Sequence, residues 1–307
     1  MRAVVTEPGA VPRLAIREVA RPAPAADQAV VRVRAFSLNA GETRTAFDAA
    51  TSYTPGWDFA GVVERPAASF AAGARVFGFV PQGSWAEYVA VRPDHIAAIP
   101  EGVSDVQAAA LPVAGMTAMI CLERAGAVLG RRVLVTGAAG GVGRFACQLA
   151  ALAGASVFAV SRRPELPSQL EADGVRAAGV FRSMTDAKTA GSYDVIIDSV
   201  GGDTLATALM ALSADGTCIN CGNSSRQPTS FDARALYMTS EARLRTVWLG
   251  RELASNCTPR IAWLAELVRQ GRLRTPIAAE LPWTDVVDAA ERLLRQSIDG
   301  KLVLTVA

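Results

Sequence analysis

Along the first third of the chain the apolar positions fall in short runs broken by proline, glycine and aspartate. The segments RAVVTE, AVVRVRAFSLN, FAGVVER, ARVFGFV and WAEYVAVR are rich in β-branched and aromatic residues. This pattern predicts short strands joined by turns, an antiparallel barrel-like domain over residues 1–115. From residue 116 the rhythm changes to strand–helix alternation. The apolar runs RVLVTG, SVFAVS, AGVFR, YDVIIDSV, GTCINCG and LRTVWL alternate with helical patterns such as RFACQLAALAG, PELPSQLEADG and DTLATALMALSA. Near-continuous apolar strands separated by helices imply a parallel sheet covered on both faces. Residues 252–307 return to helices, TPRIAWLAELVRQG and WTDVVDAAERLLRQ, and to a last strand, KLVLTV. The overall expectation is an α/β unit, residues 116–251, inserted into a strand-rich unit.

One turn inside the α/β unit is unusual. In VLVTGAAGGVGRFACQLAALAG the residues Gly137, Gly140, Gly141 and Gly143 lie between a strand and a helix. Such a turn either lets two elements pack closely or lets a ligand approach peptide N–H groups. A dinucleotide fingerprint, G-x-G-x-x-G, fits from position 138 with Ala138 in place of the first glycine. Gly140 would then let a pyrophosphate approach the backbone, and Gly143 would let the helix pack on the strand. The helix N-terminus supplies unpaired N–H groups and a favourable dipole. An NAD site usually has a carboxylate about 20 residues past the glycines, for the ribose hydroxyls. Here that place holds Ser161, Arg162 and Arg163. With no carboxylate to repel a 2′-phosphate and two guanidinium groups to pair with it, the expected cofactor is NADPH.

Composition narrows the field further. Of 307 residues half are apolar and one fifth charged, with a net charge of +2. That is globular, and it provides no field to gather nucleic acid or an anionic membrane. No apolar run reaches the roughly 18 residues of a membrane span. The N-terminus, MRAVVTEPGA, lacks the apolar core of a signal peptide and reads as a first strand. Five cysteines without framework spacing suggest buried free thiols in a cytoplasmic protein. Cys218 and Cys221 form a C-x-x-C, but within an apolar strand-like run, so they read as core. The single histidine, His95 in RPDHIAAIP, follows a strand in a turn-like setting and reads as a surface residue. No Cys/His cluster is present, and no metal is expected.

Asn39 after FSLN, YTPGWDFAG, SWAEYV, LPVAGMTA, TGAAGGVG, DSVGGDT, CGNSS and DGKLVL, in this order, resemble the medium-chain dehydrogenase/reductase superfamily. Within it the chain is similar to the zinc-independent quinone oxidoreductases of the ζ-crystallin type. The resemblance implies a Rossmann cofactor domain with a parallel sheet, inserted into a GroES-like β-barrel catalytic domain formed by residues 1–115 and 252–307. It also implies hydride transfer from NADPH to a quinone or related conjugated carbonyl, and a homodimer paired through the strand LRTVWL. Where the family's alcohol dehydrogenases have zinc-binding Cys and His, this sequence has Asn39 and Trp57, and the four-Cys structural loop is missing. Without a Lewis acid, alcohol oxidation loses its main electrostatic support. A quinone or enone spreads the incoming charge over its own conjugated system.

Carried over by motif, Asn39 is expected beside the nicotinamide as a donor, or else as a turn residue closing a strand. Tyr53 in YTPG is the hydroxyl best suited to polarise a carbonyl or relay a proton; a half-buried aromatic is the other reading. Arg44 stands where relatives often have an aromatic, as a substrate-facing cation or a solvated charge. Cofactor contacts are expected from Thr117, taken as the start of the linking helix, from Gly137, Ala139, Gly140, Gly141, Val142 and Gly143, and from Ser161, Arg162 and Arg163. Val200, Gly222, Asn223, Ser224 and Leu249 are expected at strand ends, and Lys301 near the cofactor. Asp198 and Asp203 read as strand-end and helix-cap residues. Three functions remain open. The first is NADPH-dependent quinone reduction. The second is reduction of an enone, 2-alkenal or enoyl thioester. The third is NADPH binding without catalysis.

Overall fold

A computed structural model describes residues 1–68, 70–239 and 241–306. The chain divides into two compact units, residues 1–116 with 249–307, and residues 117–248.

The first unit is built on strands. β1 (Arg2–Thr6) and β2 (Leu14–Glu18) form an antiparallel pair, followed by β3 (Ala29–Ser37), β4 (Asp58–Arg65), β5 (Arg75–Phe79), β6 (Tyr88–Val91) and β7 (Ile96–Ala98). Strand β3 shows why a sheet with one covered face forms here. Its valines and Phe36 are turned inward or partly covered, while Arg32 and Arg34 alternate outward to water. The second unit holds six parallel strands, β8 (Arg132–Thr136), β9 (Ser156–Val160), β10 (Gly179–Phe181), β11 (Tyr193–Asp198), β12 (Leu212–Asn220) and β13 (Arg243–Thr246). Here β8 and β11 are buried along almost their whole length, as expected of strands covered on both faces. After them the chain re-enters the first unit with β14 (Ile277–Pro282) and β15 (Lys301–Thr305).

The main sheet of the first unit has the order β14-β15-β3-β4-β5-β7, with β6 also paired to β3. All its pairs are antiparallel except β14 with β15. That parallel pair was not evident in the sequence, because parallel neighbours need a crossover, here supplied by the helix Val286–Leu294. Val31, Phe36, Phe59, Trp85, Leu302 and Leu304 form the centre of its core. The register sets Val303 opposite Ser37 and Leu304 opposite Phe36, so the last strand is stitched to the third.

In the second unit the order is β10-β9-β8-β11-β12-β13, the doubly wound arrangement that reverses direction between β8 and β11. Leu134, Phe158, Tyr193, Ile196, Leu205 and Cys218 fill one face of it. Ligands of such sheets bind outside the strand carboxyl ends at the reversal. The glycine-rich turn follows β8 at that place.

Two expectations are corrected. His95 is not at the surface: it is 4% exposed, stacked on Phe79 with ring centroids 5.3 Å apart. A short 3-10 turn after Arg92 folds it inward against the end of β5, the strand that pairs with β7. Thr117 does not begin its helix. That helix runs from Pro112 to Ala125, because proline at the first position tolerates the missing N–H, and Thr117 lies buried in its second turn.

Candidate active site

In the second unit the carboxyl ends of four adjacent strands carry the residues the sequence singled out. After β8, Gly137 turns the chain with φ near +60°, a left-handed conformation that glycine adopts without strain. A Cβ there would lie 3.3 Å from Val200 and against the Ser199 hydroxyl, so the turns after β8 and β11 touch. Gly140 caps the helix Gly141–Leu152 from an extended conformation, and its N–H donates to the Gly137 carbonyl at 3.0 Å. At Gly143 a Cβ would stand 2.6 Å from the Ala138 Cα and fall inside contact distance of the Gly137 carbonyl. Gly143 therefore fixes how closely the helix lies on the turn. Ala139 is buried beneath it, and Gly141 and Val142 are partly exposed in the first helical turn. The N–H groups of that turn have no acceptor within the helix.

Around this turn the other ends are arranged by backbone and side-chain bonds. Asp198, fully buried at the end of β11, accepts from the Thr136 hydroxyl at 2.6 Å, the Gly201 N–H at 2.9 Å and the Asn220 amide at 2.8 Å. It is thus a strand-end anchor. Gly222 packs so closely that a Cβ would be 3.0 Å from the Ser199 carbonyl oxygen, and the Ser224 N–H donates to that oxygen at 3.2 Å. Asn223 is exposed. Past β9, the Ser161 hydroxyl accepts from the Arg163 N–H at 3.0 Å, curling the loop that presents Arg162 and Arg163. Arg162 is exposed and Arg163 half-buried. These features fit a dinucleotide: a tight glycine turn that a side chain would fill, unspent amides at a helix start and cations at the second strand end.

The thiols nearby are structural. Cys218 is buried, and burial pushes its thiol well above the ordinary range. Contact with Cys221 and burial do the same to Cys121.

In the first unit a different cluster forms. Asn39 lies two residues past β3 and caps the helix Ala40–Phe47, where Glu42 at the third position closes a capping box. The Asn39 N–H donates to Glu42 Oε1 at 2.8 Å. One Nδ2 hydrogen of Asn39 reaches Asp58 Oδ2 at 2.8 Å, and the other reaches Glu42 Oε1 at 3.1 Å. Asp58 begins β4 and is fully buried. Its Oδ2 also accepts from the Ser37 hydroxyl at 2.6 Å and from Lys301 Nζ at 3.2 Å, and its Oδ1 from the Val113 N–H at 2.8 Å. Lys301 is 3% exposed. Besides Asp58, it donates to Asn39 Oδ1 at 2.5 Å and to the Leu38 carbonyl at 3.1 Å. Both amide hydrogens of Asn39 and all three of Lys301 are therefore spent within the cluster.

In this cluster Glu42 is strongly shifted. Burial, reinforced by the Asp58 charge and opposed by Lys301, pushes its carboxyl up to about 8. Tyr53 is half-buried, and its phenol is raised by burial and by the Glu42 charge beside it. Arg44, also half-buried, lies on the same helix as Glu42.

Comparison with known proteins decides the family. Residues 25–101 match the family "Alcohol dehydrogenase GroES-like domain", and residues 141–266 match "Zinc-binding dehydrogenase". The chain is 30% identical to the quinone oxidoreductase of Mus musculus over 94% of its own length and 92% of that protein. The chain belongs to the medium-chain dehydrogenase/reductase superfamily. It is also 28% identical, along its whole length, to a mycocerosic acid synthase-like polyketide synthase of Mycobacterium tuberculosis, of which it spans 15%. Among solved structures, the quinone oxidoreductase from Coxiella burnetii covers the whole chain at 26% identity with a TM-score of 0.86. The fold is accordingly a Rossmann domain inserted in a GroES-like one, and the protein is a nicotinamide-nucleotide-dependent oxidoreductase acting on a small molecule. Among the described residues no helix is long and apolar enough to cross a membrane.

At the positions where zinc-binding members of the superfamily place ligands, Asn39 is engaged with two carboxyl groups. The Trp57 ring lies against the helix at Gly41, where a Cβ would be 2.9 Å away. Among the described residues no group of three or more His, Cys, Asp or Glu is placed to hold a metal. Leu249 opens a 3-10 segment and, like Lys301, belongs to the first unit. Glu42, Asp58 and Ser37 were not singled out from the sequence. The N-x-x-E spacing of Asn39 and Glu42 is a readable cap signal. The lone charges that open the apolar strands DFAGVV and KLVLTV could have pointed to Asp58 and Lys301.

Proposed function

We propose that the protein is a zinc-independent, NADPH-dependent quinone oxidoreductase. The observation that carries this reading is the glycine turn after β8 beside a second strand end with Ser161, Arg162 and Arg163 and no carboxylate. A 2′-phosphate suits two guanidinium groups, and a carboxylate would repel it. Gly137, Ala139, Gly140, Gly141, Val142 and Gly143 would hold the pyrophosphate. Val200, Gly222, Asn223 and Ser224 line the neighbouring strand ends, and Thr117, Leu249 and Lys301 complete the proposed cofactor contacts. Lys301 would act through Asn39, since its own donors are used. Bound there, NADPH supplies a hydride.

The acceptor is a conjugated carbonyl, because such a molecule delocalises the arriving charge and needs no Lewis acid. Tyr53 brings a hydroxyl to the developing oxyanion, Asn39 orders the surrounding carboxyl groups, and Arg44 offers a cation to the acceptor. A quinone is the favoured acceptor, in line with the relative from Mus musculus. The whole-length match to the polyketide synthase supports a second reading, reduction of an enoyl thioester or 2-alkenal. Fluorescence titration with NADPH and NADH, then turnover of a naphthoquinone beside a 2-alkenal, tests both. Tighter binding of NADPH and faster turnover of the quinone are expected; faster turnover of the alkenal selects the second reading. Loss of turnover with a chelator, together with stoichiometric zinc in the purified protein, would refute zinc independence. A cytoplasmic homodimer is part of the proposal, because β13 is an exposed sheet edge with Trp248 70% exposed beside it. A monomer in size-exclusion chromatography with light scattering would exclude it.

A further inference from the structure

Residues 48–57, which carry Tyr53 from the first helix to β4, contain neither helix nor strand. Such a segment must find partners elsewhere for its backbone polar groups. Its far end is tied to residues 80–85, between β5 and β6. There the Pro55 carbonyl accepts from the Trp85 N–H at 3.1 Å, and the Trp57 carbonyl from the Val80 N–H at 3.0 Å. The end that bears Tyr53 is tied to the β1–β2 hairpin instead. The Thr6 N–H donates to the Tyr53 carbonyl at 2.9 Å, and the Tyr53 N–H donates to the Thr6 hydroxyl at 3.0 Å. That hydroxyl in turn donates to the Thr51 carbonyl at 2.9 Å. From just before β2, Arg13 donates through Nε and Nη2 to the Phe47 carbonyl at 2.9 and 2.7 Å, and through Nη2 to the Ala49 carbonyl at 3.4 Å.

Thr6 is the last residue of β1 and is 1% exposed. A valine would suit the end of a buried strand as well, since β-branched residues fit a pleated surface with or without a hydroxyl. A buried hydroxyl costs stability unless it is bonded, and here both its proton and an accepting lone pair are directed at residues 51–53. Both backbone polar groups of Tyr53 end on this one residue. A tyrosine oxygen is joined to its backbone by a rigid ring and two torsions, so a shift of the backbone carries the hydroxyl with it. We propose that Thr6 and Arg13 are positioning residues: from the β1–β2 hairpin they hold Tyr53 where its hydroxyl meets the acceptor. Both act through Tyr53. Catalysis by that hydroxyl belongs to the reductase reading above, on which this role rests; the clasp itself does not depend on it. Thr6→Val keeps the volume of the side chain and strands the Tyr53 N–H and the Thr51 carbonyl, whereas Thr6→Ser keeps the hydroxyl.

Steady-state kinetics with NADPH and the better of the two acceptors, well below the melting temperature, tests the positioning. A catalytic group displaced by about 1 Å costs up to roughly 100-fold in rate, so Thr6→Val should lower kcat by about tenfold to 100-fold with the Kd for NADPH unchanged. Thr6→Ser should retain most of kcat. Arg13→Met frees the Phe47 and Ala49 carbonyls without altering the strand and should lower kcat less than Thr6→Val; if Thr6→Val does not fold, the same comparisons with Arg13→Met decide. The loss must pass through Tyr53, so in a Tyr53→Phe background Thr6→Val should lower kcat by no more than about twofold. An unchanged kcat in Thr6→Val, or an equal fall in the Tyr53→Phe background, overturns the proposal. Hydrogen exchange at the Tyr53 amide reads the clasp without any acceptor. Exchange about tenfold faster or more is expected in Thr6→Val and not in Thr6→Ser. Unaltered exchange in Thr6→Val refutes the clasp. If the unaltered protein turns over neither acceptor, or Tyr53→Phe leaves kcat intact, the reductase reading of Tyr53 fails while the exchange rate still decides whether Thr6 holds the segment.

Discussion

Replacing Glu42 by glutamine should stabilise the protein, by an amount that grows with pH. Glutamine matches the shape of the neutral acid, and its carbonyl can still accept from Asn39. In the unfolded chain a glutamate releases its proton near pH 4.5, whereas the folded protein keeps it up to about pH 8. The folded state therefore binds the extra proton. Stability from this group is fully present below pH 4.5 and is lost as pH rises towards 8. At pH 7 the unaltered protein must take up a proton to fold, which costs about 1.4 kcal/mol for each unit above 4.5, or about 3 kcal/mol. Glutamine carries no such cost. For a unit of this size the melting temperature of Glu42→Gln should exceed that of the unaltered protein by roughly 6–12 °C at pH 7. The two should coincide near pH 4 and differ most above pH 8. Thermal unfolding followed by circular dichroism at several pH values measures the gap. A gap that is independent of pH, or a less stable variant at pH 7, would refute the neutral-acid reasoning.

Three other substitutions probe the remaining geometry. Gly143→Ala should destabilise the second unit by about 2 kcal/mol or more and weaken NADPH binding, since its methyl group would press on Ala138 and the Gly137 carbonyl; denaturation and titration measure both. Replacing Arg162 and Arg163 together by alanine should raise the Kd for NADPH roughly tenfold to 100-fold and leave that for NADH unchanged, as read by fluorescence titration. Lys301→Met should cost about 3–5 kcal/mol, because Asp58 keeps its buried charge without the ammonium. Adding Asp58→Asn should restore part of this loss in a double-mutant cycle.

The elements whose stability is local were legible in the sequence. The continuous apolar runs of β8 and β11, the glycine turn and the alternation of β3 each announce their structure within about ten residues. The cofactor cradle was legible for the same reason: Gly137 to Gly143 lie in one turn, and Ser161 to Arg163 follow the next strand. The Glu42 cluster was not, because it depends on register between distant strands. Lys301 and Asp58 are 243 positions apart and meet only because β15 pairs with β3 and β3 with β4. Spacing along the chain contains no trace of that. His95 was misread on similar grounds: its turn looks like a surface connection, but Phe79 from another strand and the backbone at Leu253 and Ser255 close over it.

The position of β15 between β14 and β3 has a consequence for biosynthesis. Residues 117–248 are contiguous and can collapse as soon as they leave the ribosome, whereas the strand-rich unit lacks an interior strand until residue 305 has been made. Throughout that interval the Ala35–Ser37 end of β3 presents an unpaired edge of the kind that invites adhesion between nascent molecules. The same late arrival delivers the counter-ion of Asp58. The closing strand thus both seals the sheet and neutralises its interior, and a chain that stalls before it would be a natural client for chaperones.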